Sequence, residues 1–349
     1  MPGLVDKGLF SLIHDFLKIY LPKHRRVSPN TITAYRKALD QFIDFAKTSN
    51  GVSIQDVTFE MLGAETVLAF LDNLESERGC GISTRNHRLA AVRAFFVYAA
   101  AMDISAVKFL DEIKKVPLKK NASTTIVEHM SETAVAAVLA QPDTATSKGL
   151  RDRFFMILMY DTGARLQEIL DLKLCDFRLG KTPTVTLHGK GDKTRSVPLM
   201  ERTIEHLRVY LAEFHKNSGL SADSYLFYLV SHGRRHQLSN DCVAKFIRKY
   251  GELARVTCLE VPEKIHPHQF RRSRAMHLYQ NGMDLTLISQ WLGHANLETT
   301  LVYASADTEH KRKAIAQATP ASDPMHKFLN PAHFTITDEE QLKRLYGLH

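Results

Sequence analysis

The sequence predicts a mainly α-helical protein with one small β-sheet (an α+β fold), divided into two domains. Apolar residues recur at three- and four-residue spacing along most of the chain, as amphipathic helices require. Residues 184–200 instead alternate as a β-hairpin would, around the glycine-containing turn GKGDK. At 349 residues, the chain is long enough to bury two hydrophobic cores.

A basic stretch, KKVPLKKNASTT at 114–125, is the predicted interdomain linker, because it contains a proline and then turns small and polar. It separates a helical first domain, residues 1–113, from a second domain, residues 126–334. Residues 335–349 form a tail whose capping-box sequence TDEE predicts a last short helix. Two arrangements are open for that helix: it packs on its own chain, or it docks on a neighbouring protomer.

The first domain is predicted to contain an amphipathic helix over residues 5–21, a helix that begins at the capping pair Ser28–Pro29, and a helix over residues 83–101. Basic side chains beside these helices are candidates for contact with a polyanion, although a solvated charged face is the plain alternative. The candidates are Arg25, Arg26, Arg85 and Arg88, together with Lys119 of the linker.

The second domain is predicted to contain helices over residues 132–140, 151–161, 202–216 and 240–254, the first of them capped by Ser131. Gly163 breaks the chain after the second helix, and Arg165 then opens the helix RLQEILDL. Glu168 lies on the same helical face as Arg165 and can hold it. The segment SHGRRHQ at 231–237 is predicted to be a loop, facing either solvent or a nucleic acid.

The sequence at the end of this domain predicts three short helices, which are separated by glycines. They cover residues 273–281, ended by Gly282, residues 285–292, ended by Gly293, and a third stretch capped by Asn296. Tyr303 lies on the third helix, so it can move without remaking the core.

Composition bounds the possible functions. The formal net charge is +8 and the pI is about 9.2, which favours a polyanionic partner. The four cysteines lack CxxC spacing, so neither a zinc site nor a disulfide framework is predicted. Charged residues interrupt the apolar N-terminal stretch, which argues against a signal peptide or a membrane span. His266 and His268 have no thiol or acidic partner at useful spacing, so no catalytic metal is predicted.

Six residues of the second domain form a complete set for attack on a phosphodiester. An arginine fork matches phosphate oxygens and keeps its charge. A tyrosine becomes nucleophilic when cations stabilise its phenolate and an imidazole accepts its proton, and a lysine can protonate the leaving oxygen. The six residues are Arg165, Lys190, His268, Arg271, His294 and Tyr303. This chemistry requires no metal and no other cofactor.

In these residues and their surroundings, the chain resembles the tyrosine recombinases of the phage integrase family. The resemblance is carried by the segments TGARLQEILDLKLCDF, LHGKGDKTRSVPL, HPHQFRRSRAMHL and LGHANLETTLVYA, in the family's order. Lys190 follows Arg165 by 25 positions, and Tyr303 follows His294 by nine, which are typical spacings of the family. The resemblance extends weakly back to about Ile13.

The resemblance implies a helical core-binding domain and a recombinase catalytic domain that form a C-shaped clamp on DNA. The implied roles are nucleophile for Tyr303, mobile general acid for Lys190, proton transfer for His268 with Arg271, and positioning of the phosphate or the nucleophile for His294. Lys193 and Arg195 become further candidates for DNA contact. Phe270 and Arg272 depart from the leucine and histidine common in the family, which concerns supporting contacts only.

The implied function is site-specific recombination or integration through a 3′-phosphotyrosyl intermediate, without metal or ATP. The partner would be double-stranded DNA with inverted-repeat core sites, bound by a homotetramer in the synaptic complex and by monomers or dimers otherwise. The place of action would be a prokaryotic cytoplasm, at the nucleoid. Two alternatives stay open: a type IB topoisomerase-like strand transferase, and a non-catalytic DNA-binding protein of the same fold. A metal-dependent nuclease or transposase is disfavoured because no trio of carboxylates stands out.

Overall fold

The chain forms two compact units, Met1–Thr124 and Thr125–His349, which divide inside the predicted linker. The computed structural model describes residues 6–120, 128–189, 193–216 and 221–294, together with Asn296, Thr300, Leu301, Tyr303, Arg312, Ile315, Glu340, Lys343 and Arg344. Lys114 and Lys115, predicted to begin the linker, instead end a helix of the first unit.

In its described residues, the first unit consists of helices joined by short loops. Its α-helices are α1 (Lys7–Asp15), α2 (Pro29–Asn50), α3 (Ala64–Ser76), α4 (Ile82–Met102) and α5 (Val107–Lys115). A π-helical segment, Phe16–His24, continues α1. Ser28 caps α2 as predicted, because its hydroxyl accepts a hydrogen bond of 3.3 Å from the backbone N–H of Thr31. Helices α3 and α5 have no counterpart among the predicted elements.

Helix α4 supplies the centre of the first unit's core. Phe95 and Phe96 are buried on α4 and lie edge to face, with ring centroids 5.4 Å apart. Phe16 packs against Phe95 at 5.7 Å, so the π-helical segment is attached to the same core. Aromatic rings bury more apolar area than aliphatic side chains, which lets a unit of this size sustain a core of its own.

The second unit contains the remaining described helices and all the described strands. The helices are α6 (Glu132–Ala140), α7 (Ser147–Thr162), α8 (Leu166–Leu170), α9 (Glu201–Phe214), α10 (Asn240–Thr257), α11 (Pro267–Gln280) and α12 (Leu285–Leu292). Gly282 after α11 and Gly293 after α12 have φ values of 90° and 67°, so both predicted left-handed helix ends are confirmed. Gly163, the predicted break after α7, also has a positive φ of 57°.

Five short strands form two antiparallel sheets in the described part of this unit. They are β1 (Phe177–Arg178), β2 (Thr184–His188), β3 (Thr194–Pro198), β4 (Tyr228–Ser231) and β5 (Arg234–Gln237). The predicted hairpin is β2–β3, in which Val185 pairs with Val197, and β1 adds to the edge at β2. The segment SHGRRHQ, predicted to be a loop, instead contains the last residue of β4, a turn and β5 of a hairpin. His232 and Gly233 at its turn both have positive φ, as a tight two-residue turn requires.

Helix α7 runs through the core of the second unit. Phe154, Phe155 and Leu158 are fully buried on it, and they belong to one apolar cluster with Val197 of β3 and Phe270 of α11. The C-terminal end of α7 is thereby held beside the sheet and α11. Among the described residues, no helix is both long and apolar enough to cross a membrane. The predicted tail helix falls outside the described residues, apart from the helical positions Glu340, Lys343 and Arg344.

Candidate active site

Helix α11 presents the first two candidate residues on one face. Pro267 occupies its first turn, and the backbone N–H of His266 donates to the Gln269 side chain at 2.9 Å, which fixes the start of the helix. His268 and Arg271 are three residues apart and therefore point to the same side. His268 is exposed, whereas Arg271 is only 2% exposed.

Arg271 joins three segments of the second unit. Its Nη1 donates to the carbonyl oxygen of Gly163 at 2.7 Å, and its Nη2 donates to the carbonyl oxygen of Leu292 at 2.7 Å. Gly163 lies two residues before Arg165, and Leu292 lies two residues before His294. One buried guanidinium thus brings the segments of two other candidates to α11.

Glu168 holds Arg165 at the start of α8, as the sequence predicts. The Glu168 carboxylate accepts from the backbone N–H of Arg165 at 2.8 Å and from Arg165 Nη1 at 2.9 Å. Arg165 nevertheless remains 44% exposed, while Glu168 is 3% exposed. The guanidinium is therefore anchored at one end and open to solvent at the other.

Arg195 on β3, a candidate for DNA contact, is bound by acceptors of its own unit. Its Nη1 and Nη2 donate to the two carboxylate oxygens of Glu168 at 2.9 and 2.7 Å, and its Nε donates to the carbonyl oxygen of Trp291 at 3.0 Å. The side chain is 13% exposed. Internal acceptors therefore bind the Arg195 guanidinium in this structure, and its contact with DNA stays a prediction. The sequence contained a signal that the Arg195 side chain faces inward. Arg195 lies two residues before the buried Val197, so the two side chains share one face of the strand.

His294 and Tyr303 follow the left-handed residue Gly293. The Nδ1 atom of His294 lies 2.7 Å from the hydroxyl of Thr300, which links the end of α12 to the helical residues that carry Tyr303. The Tyr303 ring is 6% exposed and belongs to a small apolar cluster with Met276 of α11 and Leu292 of α12. The phenol is thus packed against the two helices that also carry or precede the other candidates.

The two histidines are neutral at pH 7 in the DNA-free protein. Removal of water from its ring lowers the pKa of His268 to about 4, and the charges of Arg272 and Arg271 act in the same direction. Burial also lowers the pKa of His294 to about 4, with the charges of Arg271 and Arg165 adding to the effect. Neutral imidazoles can accept a proton, so this electrostatic setting suits proton transfer from a phenol.

Burial and neighbouring charges also shift the pKa values of the other site residues. Burial lowers the pKa of Arg271 to about 10, and the charges of Arg165 and Arg195 contribute. Burial would raise the pKa of Glu168, but hydrogen bonds from Arg195 and Arg165 outweigh it and lower that pKa to about 2. Burial raises the pKa of Tyr303 more than the charges of Arg271 and Arg272 lower it, so the phenol is protonated at pH 7.

A cleft lies beside these groups on the surface of the second unit. Its described lining residues are Arg165, Gly189, Lys193, Thr194, Arg195, Gln290, Gly293 and His294. The charged side chains among them are all cationic, which suits an anionic backbone. Lys190 directly follows the lining residue Gly189 but itself lies outside the described residues.

The predicted DNA-contact residues of the first unit differ in their exposure. Arg25 and Arg26 are exposed. Arg88 is half-buried and donates to Gln41 at 2.9 Å. Lys119 is exposed and forms an ion pair of 2.6 Å with Glu75. These side chains, with the exposed Lys193 of the second unit, are accessible in whole or in part to a partner.

Arg85, predicted to lie on the polar side of its helix, is instead buried. It is 2% exposed, its Nε lies 3.4 Å from the Glu75 carboxylate, and its Nη1 donates to the carbonyl oxygen of Pro117 at 3.1 Å. Arg85 precedes the buried residues Leu89 and Val92 by four and seven positions, and so shares their helix face. The spacing of Arg85 from these two residues indicated a buried position, although its charge suggested an exposed one.

Buried histidines predict a loss of stability in mild acid. His277 is 3% exposed on α11, and burial lowers its pKa below the ordinary value of 6.5. The unfolded chain therefore takes up a proton that the folded chain excludes, so stability falls as the pH falls, by at most about 1.4 kcal/mol per pH unit for each such proton. Calorimetry should show a lower unfolding midpoint at about pH 5.5 than at about pH 7.5.

His268 and His294 contribute with the same sign, since their pKa values are also lowered. Glu168 has a lowered carboxyl pKa, so its contribution is lost only at lower pH, below the ordinary value of 4.5. The variant His277→Gln, which removes one of the titrating groups, should show a smaller decrease. A midpoint that stays constant or rises in acid would contradict the expectation.

Comparison with known proteins identifies relatives over most of the chain. Residues 128–310 match the phage integrase family, and residues 13–103 match the N-terminal SAM-like domain of phage integrases. The chain is 32% identical over 322 residues to the putative integrase/recombinase y4rC of Sinorhizobium fredii, which covers 92% of this chain and 95% of that protein. It is 30% identical over 313 residues to the tyrosine recombinase XerD of Staphylococcus aureus, covering 89% and 99% respectively.

A solved structure shares the fold. The XerH site-specific recombinase, bound to its difH substrate in a pre-cleavage complex, superposes with a TM-score of 0.64 at 23% sequence identity, covering 88% of each chain. The mainly helical class with small antiparallel sheets is thereby confirmed.

Proposed function

Because the chain belongs to the phage integrase family and is a tyrosine-type site-specific recombinase, we propose that Tyr303 is the nucleophile with which it cuts and rejoins DNA. The observation that supports this most is the bridge made by Arg271, which draws the segments of Arg165 and His294 to α11. Cationic donors gathered beside one phenol are what attack on a phosphodiester requires.

In the proposed cleavage step, the Tyr303 oxygen bonds to the scissile phosphorus while the bond to the 5′-oxygen breaks. His268 accepts the phenolic proton, and Lys190 gives a proton to the leaving oxygen, so a 3′-phosphotyrosyl link and a 5′-hydroxyl result. The 5′-hydroxyl of a partner strand then attacks the phosphotyrosyl link and restores both the phosphodiester and the phenol. Both steps are transesterifications that conserve the number of phosphodiester-type bonds, so no ATP is needed.

Arginine is the group that stabilises charge in this proposal. Arg271 has two N–H donors engaged by backbone carbonyls and keeps three, while Arg165 keeps its solvent-facing donors. These donors would bind the non-bridging oxygens as charge develops on them. His294, hydrogen-bonded to Thr300, would fix the position of the phosphate or the nucleophile.

The partner in this proposal is double-stranded DNA with inverted-repeat core sites, bound by a core-binding domain at 1–113 and by a catalytic domain at 126–334. Accessible cations support this role, among them Arg25, Arg26 and Lys193. A synaptic homotetramer would hold two sites. The protein would act at the nucleoid in a prokaryotic cytoplasm.

Two substrates distinguish this proposal from its alternatives. A nicked suicide duplex should trap a covalent protein–DNA adduct, which a non-catalytic DNA-binding protein cannot form. A plasmid with two core sites should yield recombinant product, whereas a topoisomerase-like enzyme would relax supercoils without exchanging strands. Adduct without recombinant product, on sites taken from repeats beside the gene, would favour the topoisomerase-like alternative.

Covalent capture is expected to be insensitive to chelation, because arginines stabilise the charge in the proposed reaction. The adduct yield on the suicide duplex is measured with and without EDTA at equal ionic strength, since DNA binding itself depends on salt. A loss of adduct in EDTA that Mg²⁺ restores would contradict a metal-free reaction.

A further inference from the structure

Two arginines share one carboxylate at the centre of the site. Glu168 accepts four hydrogen bonds, two from Arg165 and two from Arg195, at 2.7 to 2.9 Å. A carboxylate has room for about four such donors, so the acceptor positions of Glu168 are filled. The three side chains together carry one net positive charge.

We propose that Arg195 is a positioning residue that keeps Arg165 available to the scissile phosphate by taking up the charge of Glu168. This inference rests on the proposed function, because it concerns the phosphate-binding role of Arg165. Without Arg195, the Glu168 carboxylate would face a single guanidinium. Arginine and carboxylate then favour a bidentate pair, which would turn Arg165 away from the cleft and neutralise it.

The hydrogen bonds in the structure fit these separate roles of Arg195 and Arg165. Arg195 holds both carboxylate oxygens of Glu168, whereas Arg165 gives Glu168 a single side-chain donor. Arg165 is 44% exposed and Arg195 is 13% exposed. The inner arginine therefore takes the bidentate position, and the outer arginine keeps its remaining donors for a ligand.

Arg195 also supports the segment that carries His294. Its Nε donates to the carbonyl oxygen of Trp291, and a Cβ at Gly293 would lie 3.0 Å from Arg195 Cδ. The chain at Gly293 thus runs directly over the Arg195 side chain, which only a residue without a side chain allows at a φ of 67°. A lysine could replace the charge of Arg195 but not this three-way fork.

A double-mutant comparison tests the charge-sharing role. Single-turnover rates of adduct formation are measured with saturating protein for the wild type, Arg195→Gln, Arg195→Met, Glu168→Gln and the two double variants. Removing the charge of Arg195 should lower the rate about 100-fold, as the loss of one oxyanion donor does. The double variant that also carries Glu168→Gln should be about tenfold faster than the single Arg195 variant, because Arg165 no longer faces a lone carboxylate. Arg195→Lys, which keeps the charge, should be faster than Arg195→Gln.

The alternatives give different results. If Arg195 contacted DNA, its loss would weaken binding and reduce the salt dependence of Kd with little rescue by Glu168→Gln. If it were only structural, the double variants would be no faster than the single ones. Either result overturns the inference. The Gln series decides the matter if the Met variant fails to fold.

A matched control separates stability from catalysis. Arg151 on α7 forms a buried ion pair of 2.6 Å with Asp152, roughly 18 Å along the helix from Gly163. Arg151→Met should lower the unfolding midpoint and leave the adduct rate within about twofold of wild type. A wild-type protein that forms no adduct would refute the proposed function and this inference together. A wild type that forms adduct, with Arg195→Gln equally fast, would refute the inference alone.

Discussion

Tyr303→Phe is expected to abolish covalent capture of DNA and to leave DNA binding almost unchanged. The substitution removes one hydroxyl oxygen, which is the attacking atom in the proposed reaction, and keeps the ring. Loss of a nucleophile lowers rates by more than about 10⁴-fold in enzymes that act through a covalent intermediate. Denaturing gels of the suicide-duplex reaction measure the adduct, and gel mobility shifts with intact duplex measure binding.

The fold should tolerate this change. The Tyr303 ring is 6% exposed and packs with Ala275, Met276 and Ile288, contacts that a phenylalanine ring reproduces. The unfolding midpoint should therefore stay close to that of the wild type. Tyr279→Phe is the matched control. Tyr279 lies on α11, and its phenol ring packs against the same cluster as Tyr303. If adduct formation survives in Tyr303→Phe and disappears in Tyr279→Phe, the nucleophile is Tyr279 and the assignment of Tyr303 is wrong.

Local signals in the sequence were enough to predict many element ends. Ser28 and Ser131 each accept from a backbone N–H three residues on, which satisfies a donor that the helix leaves free. Gly163 and Gly293 take left-handed conformations that other residues adopt at a cost. These features depend on neighbours within one turn, so the sequence contains the information directly.

The sequence did not indicate the distant partners that bind two of the arginines. Arg195 meets Glu168 and Trp291, which are 27 and 96 residues away in sequence. Arg85 meets the carbonyl of Pro117, 32 residues away. A buried arginine is tolerated only when acceptors compensate for lost hydration, and those acceptors come from other elements. Strand alternation and helix periodicity indicated the buried faces, but they could not identify the acceptors.

The sequence predicted which residue types belong to the candidate site. It did not predict how the fold arranges them. Matching segments in the family's order indicated which arginines, histidines and tyrosine belong together. The bridge from Arg271 to Gly163 and Leu292 spans 108 and 21 residues, and no pattern within one element indicates it. It makes Arg271 a candidate both for binding the phosphate and for holding the site together.

Arg271→Ala is accordingly expected to lower both stability and catalysis. Two buried carbonyl oxygens would lose their donor, at about 1–3 kcal/mol each. The segments of Arg165 and His294 would lose their common anchor, so the rate of adduct formation should fall by at least about 10³-fold, more than one lost oxyanion donor explains. Thermal unfolding and single-turnover cleavage, measured on the same preparations, give the two effects.

Arg271→Lys separates the two roles of this side chain. A lysine keeps a positive charge for the phosphate but cannot span both carbonyls, since it lacks the planar fork. If the bridge matters, Arg271→Lys should be destabilised and slow, close to Arg271→Ala. If Arg271 only binds phosphate, the lysine variant should be stable and should retain much of the rate. Arg255→Ala is the control, because Arg255 donates to a single backbone carbonyl, that of Val261, outside the proposed site. It should cost little stability and no cleavage activity, so that any large loss in the Arg271 variants is attributable to the bridge.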